Sequence, residues 1–115
     1  MISTVSGELK ENTSFSVIIK ASFPMGSMTG APKKRVMELI ERYEKTKRGI
    51  FSGAVGYINP EGDFDFNVVI RSIMYNAATN YLSFSAGSGI TFYSDAEKEW
   101  EECIMKADAM REALK

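Results

Sequence analysis

The sequence predicts an α+β fold in which one antiparallel sheet is flanked by helices. Three strand-like segments follow one another in the middle of the chain, separated by short turn sequences, as in an antiparallel meander. The segments on either side of them carry apolar residues at helical spacing. The 115 residues, 44% of them apolar, suffice for one domain with a modest core.

Two short elements are predicted at the start of the chain. Residues 2–9 favour a strand. A short helix is expected through residues 16–20, because Thr13 or Ser14 can accept a hydrogen bond from a free N–H group of its first turn.

The run from Phe23 to Arg35 is the most unusual stretch of the chain. Gly26 and Gly30 bracket small hydroxyl residues, and Pro32 suits the first position of a helix. Backbone N–H groups at such a helix start can bind an anion, so the run predicts a small anionic ligand. It lacks the Gly-Lys-Ser/Thr ending of a phosphate-binding P-loop, and nucleotide binding is not expected.

A helix is predicted after Pro32 and ends at Gly49 in the manner of a C′ glycine. Its apolar positions are Val36, Leu39, Ile40 and Tyr43. The three strands that follow are residues 51–58, 64–75 and 81–85, with turns at 59–62 and 76–80. Gly53 and Gly56 in the first strand indicate close approach of another backbone or of a ligand.

The last helix is expected to begin at a capping box formed by Ser94 and Glu97. An apolar stripe along this helix is predicted to pack inward. It consists of Trp100, Cys103, Ile104, Ala107, Met110 and Leu114.

Composition excludes several classes of function. With 14 basic and 15 acidic side chains, the net charge of −1 argues against a nucleic-acid-binding protein. No apolar run approaches the roughly 20 residues of a membrane span, and the first residues do not resemble a signal peptide. The single cysteine, Cys103, cannot form an internal disulfide and is typical of a reducing cytoplasm. The absence of histidine excludes a Ser-His triad and a histidine metal site.

Arg71 stands out because it interrupts an apolar strand. Asp65 on the same strand face is roughly 20 Å away along an extended chain, too far for a direct ion pair. Arg71 could lie at a sheet edge, where it reaches solvent or pairs with a helix carboxylate. It could instead bind a ligand carboxylate with both arms of its guanidinium group.

Glu99, Glu102 and Lys106 form one row on the last helix, at the border of its apolar stripe. Two carboxylates can hold magnesium together with waters and substrate oxygens. The alternative is a surface ion pair between Glu102 and Lys106, whose order along the helix is the favourable one. The segment Gly87-Ser88-Gly89 offers accessible backbone amides or is simply a turn.

Six blocks in order resemble the C-terminal part of the chorismate-utilising enzymes, and they cover nearly the whole chain. The blocks are Ser3 to Gly7, Phe23 to Arg35, Arg48 to Tyr57, Asp65 to Ser72, Ala86 to Ile90, and Glu97 to Glu102. The resemblance implies that Arg71 binds the enolpyruvyl carboxylate of chorismate, with the hydroxyl of Ser27 beside it. It also implies substrate contacts from Gly87, Gly89 and Lys106, and a Mg²⁺ ion held by Glu99 and Glu102.

Asp65-Phe66-Asn67, Gly87-Ser88 and Glu101-Glu102-Cys103 look most like the aminodeoxychorismate (para-aminobenzoate) synthase component I branch. That likeness implies amination of chorismate at C4 with ammonia from a glutaminase partner, towards para-aminobenzoate and folate. An anthranilate or isochorismate synthase is the alternative enzyme, and an inactive assembly module is the non-enzymatic one.

The resemblance also implies that residues 1–115 are the C-terminal part of a chorismate-binding domain whose N-terminal half lies outside them. The nucleophile, the acid/base residues and a further magnesium glutamate are then expected outside these residues, and no catalytic residue is identified within them. Phe51 stands where the family usually has tyrosine. The chain by itself is expected to be inactive and to self-associate through exposed apolar surface.

Overall fold

Two β-hairpins and four helices make up the part of the chain that the computed structural model describes, residues 4–115. The helices are α1 (Phe15–Ser22), α2 (Gly26–Thr29), α3 (Lys33–Tyr43) and α4 (Ala96–Glu112), and the strands are β1 (Ala54–Ile58), β2 (Phe64–Val68), β3 (Ile73–Asn76) and β4 (Tyr81–Phe84). Within this range no helix combines the length and the apolar character that crossing a membrane requires.

Both hairpins are antiparallel, as predicted. In the first, Ala54 lies opposite Val68, and the amide of Asp63 donates to the side-chain Oδ1 of Asn59 at 2.7 Å within the predicted turn. In the second, β3 pairs with β4, and the predicted turn at residues 76–80 connects them. The turn residues therefore predicted both hairpins correctly.

The predicted strand over residues 64–75 is broken, and this corrects the prediction of one sheet. Residues 69–72 lie between β2 and β3, and Arg71 has a left-handed backbone with φ of 50°. Such a backbone cannot continue a β-ladder. The result is two separate two-stranded sheets, β1–β2 and β3–β4, within an α+β fold.

Three predictions for the first half of the chain also change. Residues 4–9 form no strand, and the rest of the predicted strand lies outside the described residues. The helix α1 forms where predicted, but the hydroxyl of Ser14 contacts that of Ser16 at 3.1 Å rather than capping the backbone. The helix α3 ends at Tyr43, and Gly49 lies in a later turn with φ of 59°.

The helix α4 is rotated relative to the prediction. Its first turn is capped by Asp95 rather than Ser94, because Asp95 Oδ1 accepts from the amides of Glu97 at 3.2 Å and Lys98 at 3.1 Å. Of the predicted inward stripe, Trp100 is 66% exposed, and Ile104 and Leu114 are also exposed. The other three predicted stripe residues, Cys103, Ala107 and Met110, are half-buried, on a side that also carries Glu99, Glu102 and Lys106.

A small aromatic cluster packs α1 against the first hairpin. The ring centroids of Phe15 lie 5.0 Å from Phe64 and 5.9 Å from Phe66. Gly56 on β1 makes this possible, since a Cβ there would lie 2.7 Å from the Phe66 ring and would collide with the carbonyl oxygen of Asp65. The close approach predicted at Gly56 is therefore confirmed.

We expect Gly56→Ala to destabilise the natural polypeptide that carries this sequence by about 1–3 kcal/mol, because the strand must move away from the Phe66 ring. Urea unfolding of the variant measures this loss. Gly7→Ala is the control, because a Cβ at Gly7 would meet no atom within 4 Å. Equal stability of the two variants would contradict the packing role of Gly56.

The described residues enclose very little core. Only Val69, 6% exposed, and Ser52, 7% exposed, are buried among residues 4–115. The radius of gyration is 16.9 Å, against about 13 Å for a compact domain of this length. Specific hydrogen bonds, rather than a large core, therefore hold the loops of this chain in place.

Candidate active site

A cavity of about 280 Å³ brings together residues that are far apart in the sequence. Its walls come from α2, the turn before β1, the break between β2 and β3, the loop after β4, and α4. All five residues for which the sequence predicts substrate contacts line it. They are Ser27, Arg71, Gly87, Gly89 and Lys106.

The left-handed backbone at residue 71 sets the position of the Arg71 side chain. The turn around it is held by the amide of Ile70, which donates to the carbonyl of Val68 at 3.0 Å, and by the hydroxyl of Ser72, which donates to the carbonyl of Ile70 at 2.9 Å. No ion pair within residues 4–115 includes Arg71, so the pair with a helix carboxylate, one of the alternatives that the sequence left open, does not form. Its guanidinium group can therefore accept an anionic ligand.

Ser27 reaches the cavity from a turn of helix rather than from an open loop. The carbonyl of Met25 accepts from the amides of Met28 at 3.0 Å and Thr29 at 3.1 Å, and from the Thr29 hydroxyl at 3.0 Å. These bonds occupy the amides of Met28 and Thr29 at the end of this helical turn, while the binding of an anion at a helix start stays a prediction. Pro32 precedes α3 as its N-cap residue instead of occupying its first position.

Lys106 joins α4 to the loop after β4. Its Nζ donates to the carbonyl of Gly87 at 2.8 Å and lies 2.6 Å from Glu102 Oε1. The ion pair that the helical spacing offered as an alternative therefore forms, while Lys106 also lines the cavity. Lys106 fixes the distance between α4 and the glycine-containing loop.

Glu99 is the carboxylate whose surroundings best fit a metal ion. Its Oε2 is shielded from solvent and has no hydrogen-bond partner among the described residues. The hydroxyls of Ser94 and then Ser88 favour the ionised form and lower the pKa of Glu99, and the charge of Lys106 acts in the same direction. A cation beside Oε2 would supply the partner that this oxygen lacks.

Glu99 and Glu102 provide two carboxylates on one side of α4. No cluster of three or more acidic, cysteine or histidine side chains suited to a metal occurs in the part of the chain that the structure describes. Two carboxylates match the share of ligands that a protein usually gives to Mg²⁺, since waters and substrate oxygens complete the octahedron.

We expect Ser94→Ala to raise the pKa of Glu99 towards its ordinary value, because the largest favourable contact of the carboxylate is lost. Because the folded pKa is lowered, the ionised carboxylate stabilises the fold above the ordinary glutamate pKa, and this contribution is lost as pH falls through the lowered value. Carboxyl-carbon NMR titration of the wild type, of the variant and of Ser16→Ala as control measures the change. An unchanged titration in Ser94→Ala would contradict this assignment.

Sequence reasoning did not single out Arg48, although it lines the cavity. Its guanidinium group binds the carboxylate of Glu44, with Nε 2.9 Å from Oε2, and also donates to the carbonyl of Met28 at 2.8 Å. The hydrogen bond that Arg48 donates to Glu44 raises the pKa of Arg48. The four-residue spacing of Glu44 and Arg48 predicts only an ion pair on the surface of a helix. Because α3 ends before Arg48, this spacing could not have shown that Arg48 lines the cavity.

Phe51 forms the wall of the cavity next to the glycine-containing loop. A Cβ at Gly87 would lie 3.9 Å from the tip of the Phe51 ring, so ring and loop are in close contact. This wall is therefore apolar where Phe51 faces the cavity, and the charged and polar groups lie elsewhere in the lining, at Arg48, Arg71, Lys106 and Ser27.

Comparison with known proteins shows the family of this chain. A family model described as chorismate binding enzyme matches residues 1–112. Anthranilate synthase component 1 of Aquifex aeolicus is 42% identical over 114 residues, which cover 99% of this chain and 23% of that protein. Aminodeoxychorismate synthase of Arabidopsis thaliana is 40% identical over 114 residues, or 99% of this chain and 12% of that protein.

A third relative, aminodeoxychorismate synthase of Streptomyces griseus, is 40% identical over 107 residues, or 93% of this chain and 14% of that protein. The chain thus spans 12 to 23% of the length of these three relatives. Because the family model covers almost the whole sequence, this chain belongs to the chorismate binding enzyme family.

Proposed function

We propose that this chain forms one wall of the chorismate site of an enzyme that aminates chorismate. The observation that supports this proposal is the convergence of Ser27, Arg71, Gly87, Gly89 and Lys106 on one cavity. Chorismate carries two carboxylates, and the cavity offers it a guanidinium group free of ion pairs within the described residues. That combination suits a small dianion better than a neutral ligand.

In this proposal each residue has a defined task. Arg71 binds the enolpyruvyl carboxylate with two parallel hydrogen bonds, and the hydroxyl of Ser27 donates to the same group. The backbone of Gly87 and Gly89 contacts the substrate, which small residues permit because no side chain intervenes. Lys106 holds the loop of Gly87 against α4 and adds positive charge to the wall.

Glu99 and Glu102 are the residues that would hold a Mg²⁺ ion. When bound, the ion neutralises and polarises the ring carboxylate of chorismate, which could not otherwise lie beside two glutamates. The unpartnered Oε2 of Glu99 supports this assignment. Glu102 forms an ion pair with Lys106 in the structure, so a Mg²⁺ ion bound by Glu102 would take over the position of this ammonium group.

We further propose the aminodeoxychorismate branch, in which ammonia replaces the 4-hydroxyl group and water is released. Ammonia then comes from a glutaminase partner in the cytoplasm, and the product leads to para-aminobenzoate and folate. Residues outside these 115 would supply the nucleophile and the acid/base groups. The motifs around Asp65, Gly87 and Glu101 support this branch.

Anthranilate synthase is the second candidate, because a relative of that name has an identity of 42%, against 40% for the aminodeoxychorismate synthases. Incubation of the natural polypeptide with chorismate, Mg²⁺ and ammonia separates the two. A product with the mass of aminodeoxychorismate and without anthranilate fluorescence is expected. Strong anthranilate fluorescence would assign the second branch, and unconsumed chorismate would contradict both.

A further inference from the structure

We propose that Arg48 is a positioning residue that holds the Ser27 wall of the cavity in register with the Arg71 wall. This inference deepens the proposed function and rests on it. Arg48 occupies neither a helix nor a strand, yet its guanidinium group contacts three separate parts of the chain.

The first connection runs from Arg48 to α2. Its Nη1 donates to the carbonyl of Met28 at 2.8 Å, and Met28 directly follows Ser27. The helix α2 has only four residues, and its N-cap residue Met25 makes no side-chain capping hydrogen bond. Because so short a helix is marginal on its own, the Arg48 contact is needed to fix the direction in which Ser27 faces.

The second connection runs from Arg48 to the break that carries Arg71. The same Nη1 donates to the hydroxyl of Ser52 at 3.2 Å, and the amide of Ser52 donates to the carbonyl of Val69 at 2.9 Å. The amide of Val69 returns a hydrogen bond to Gly53 at 3.0 Å. Arg71 lies two residues beyond Val69. The turn that carries Arg71 therefore follows directly on a backbone that these hydrogen bonds hold in place.

Burial distinguishes this path from ordinary surface contacts. Ser52 and Val69, through which the second connection passes, are the two buried residues of the described chain. Ser52 also holds a left-handed backbone with φ of 68°. A non-glycine residue keeps that backbone when surrounding contacts hold it in place. The hydrogen bonds that Ser52 accepts from Arg48 and donates to Val69 are such contacts.

The shape of the guanidinium group is essential to both connections. Glu44 accepts from Nε at 2.9 Å, which orients the plane of the group and leaves Nη1 for Met28 and Ser52. A lysine ammonium at this position retains the charge but cannot reproduce this planar arrangement of donors. Arg48→Lys therefore separates charge from geometry.

The test compares Arg48→Lys with wild type in the natural polypeptide, with Arg35→Lys as the control, because Arg35 forms an exposed ion pair with Glu38. We expect Arg48→Lys to raise KM for chorismate roughly 10- to 100-fold, with a smaller change in kcat. Ser27→Ala should have little further effect in this variant, because its hydroxyl is already misplaced. Amide hydrogen exchange should accelerate in residues 24–30 and stay unchanged in α4.

The positioning role would be overturned by two results together. The effects of the Arg48 and Ser27 substitutions on KM would multiply, as for independent sites, and amide exchange in residues 24–30 would stay unchanged. If wild type neither binds nor converts chorismate, the proposed function fails, and the exchange comparison alone decides for or against the role of Arg48. Should Arg48→Lys fail to fold, Glu44→Gln removes the orienting carboxylate and is read by the same measurements.

Discussion

Arg71→Ala should reduce kcat/KM for chorismate by about 100- to 1,000-fold, which corresponds to about 3–4 kcal/mol of transition-state stabilisation. Arg71 lines the cavity, and no ion pair within residues 4–115 neutralises it. Its loss removes two charge-assisted hydrogen bonds to a substrate carboxylate. Steady-state kinetics of the natural polypeptide, together with calorimetric titration of chorismate, measure the effect.

Arg111→Ala is the matched control, because Arg111 forms an exposed ion pair with Asp108 on the last helix. It should leave kcat/KM unchanged, since exposed pairs contribute little to stability. Arg71→Lys should recover part of the loss, because it keeps the charge without the two-armed geometry. Wild-type kcat/KM in Arg71→Ala would rule out the carboxylate-binding role.

The backbone at Arg71 shows what the sequence could and could not predict. The run Val68-Val69-Ile70 is β-branched and apolar, so local propensity favours a continuous strand. The strand ends nevertheless, because Ser52 and Gly53 pair with Val69 and the chain turns at Arg71. A tertiary contact of this kind leaves no trace in the local pattern, although the charge of Arg71 within the run did mark it as unusual.

The helix α4 shows a second limit of pattern reasoning. Hydrophobic periodicity assumes that the apolar side of a helix meets a core, but the described chain has almost none. Trp100 is therefore exposed, and the side with Glu99 and Lys106 lies against the rest of the chain. The prediction that Glu99, Glu102 and Lys106 lie on one side of this helix is correct, since their spacing along the sequence alone determines it.

The cavity was easier to predict than the sheet. Its five predicted residues were identified from ordered motifs shared with a family, and such motifs record which residues converge in space. The role of Arg48 was not predicted, because its contacts to Met28 and Ser52 depend on a loop path between α3 and β1 that no periodicity encodes. Propensity describes helices and turns well, whereas long-range hydrogen bonds set the geometry of this site.

Glu99→Gln should raise the Mg²⁺ concentration required for half-maximal activity by about 100-fold or more. Loss of groups that merely support metal ligands typically costs about 10- to 100-fold in affinity, and Glu99 is proposed as a ligand itself. The substitution preserves the size of the side chain but removes its charge. Activity measured against Mg²⁺ concentration gives the shift, and electron paramagnetic resonance of bound Mn²⁺, which prefers the same oxygen ligands, gives a readout independent of turnover.

Glu101→Gln is the control for this prediction, because Glu101 is an exposed neighbour of Glu99 on the same helix. This substitution removes the same charge from the chain as Glu99→Gln does. It should leave both the Mg²⁺ requirement and Mn²⁺ binding unchanged. If the two variants weaken Mn²⁺ binding equally, the effect is one of net charge alone, and Glu99 is not a ligand. A selective loss in Glu99→Gln would instead identify the Glu99 carboxylate, whose Oε2 lacks a hydrogen-bond partner among the described residues, as a ligand of the ion.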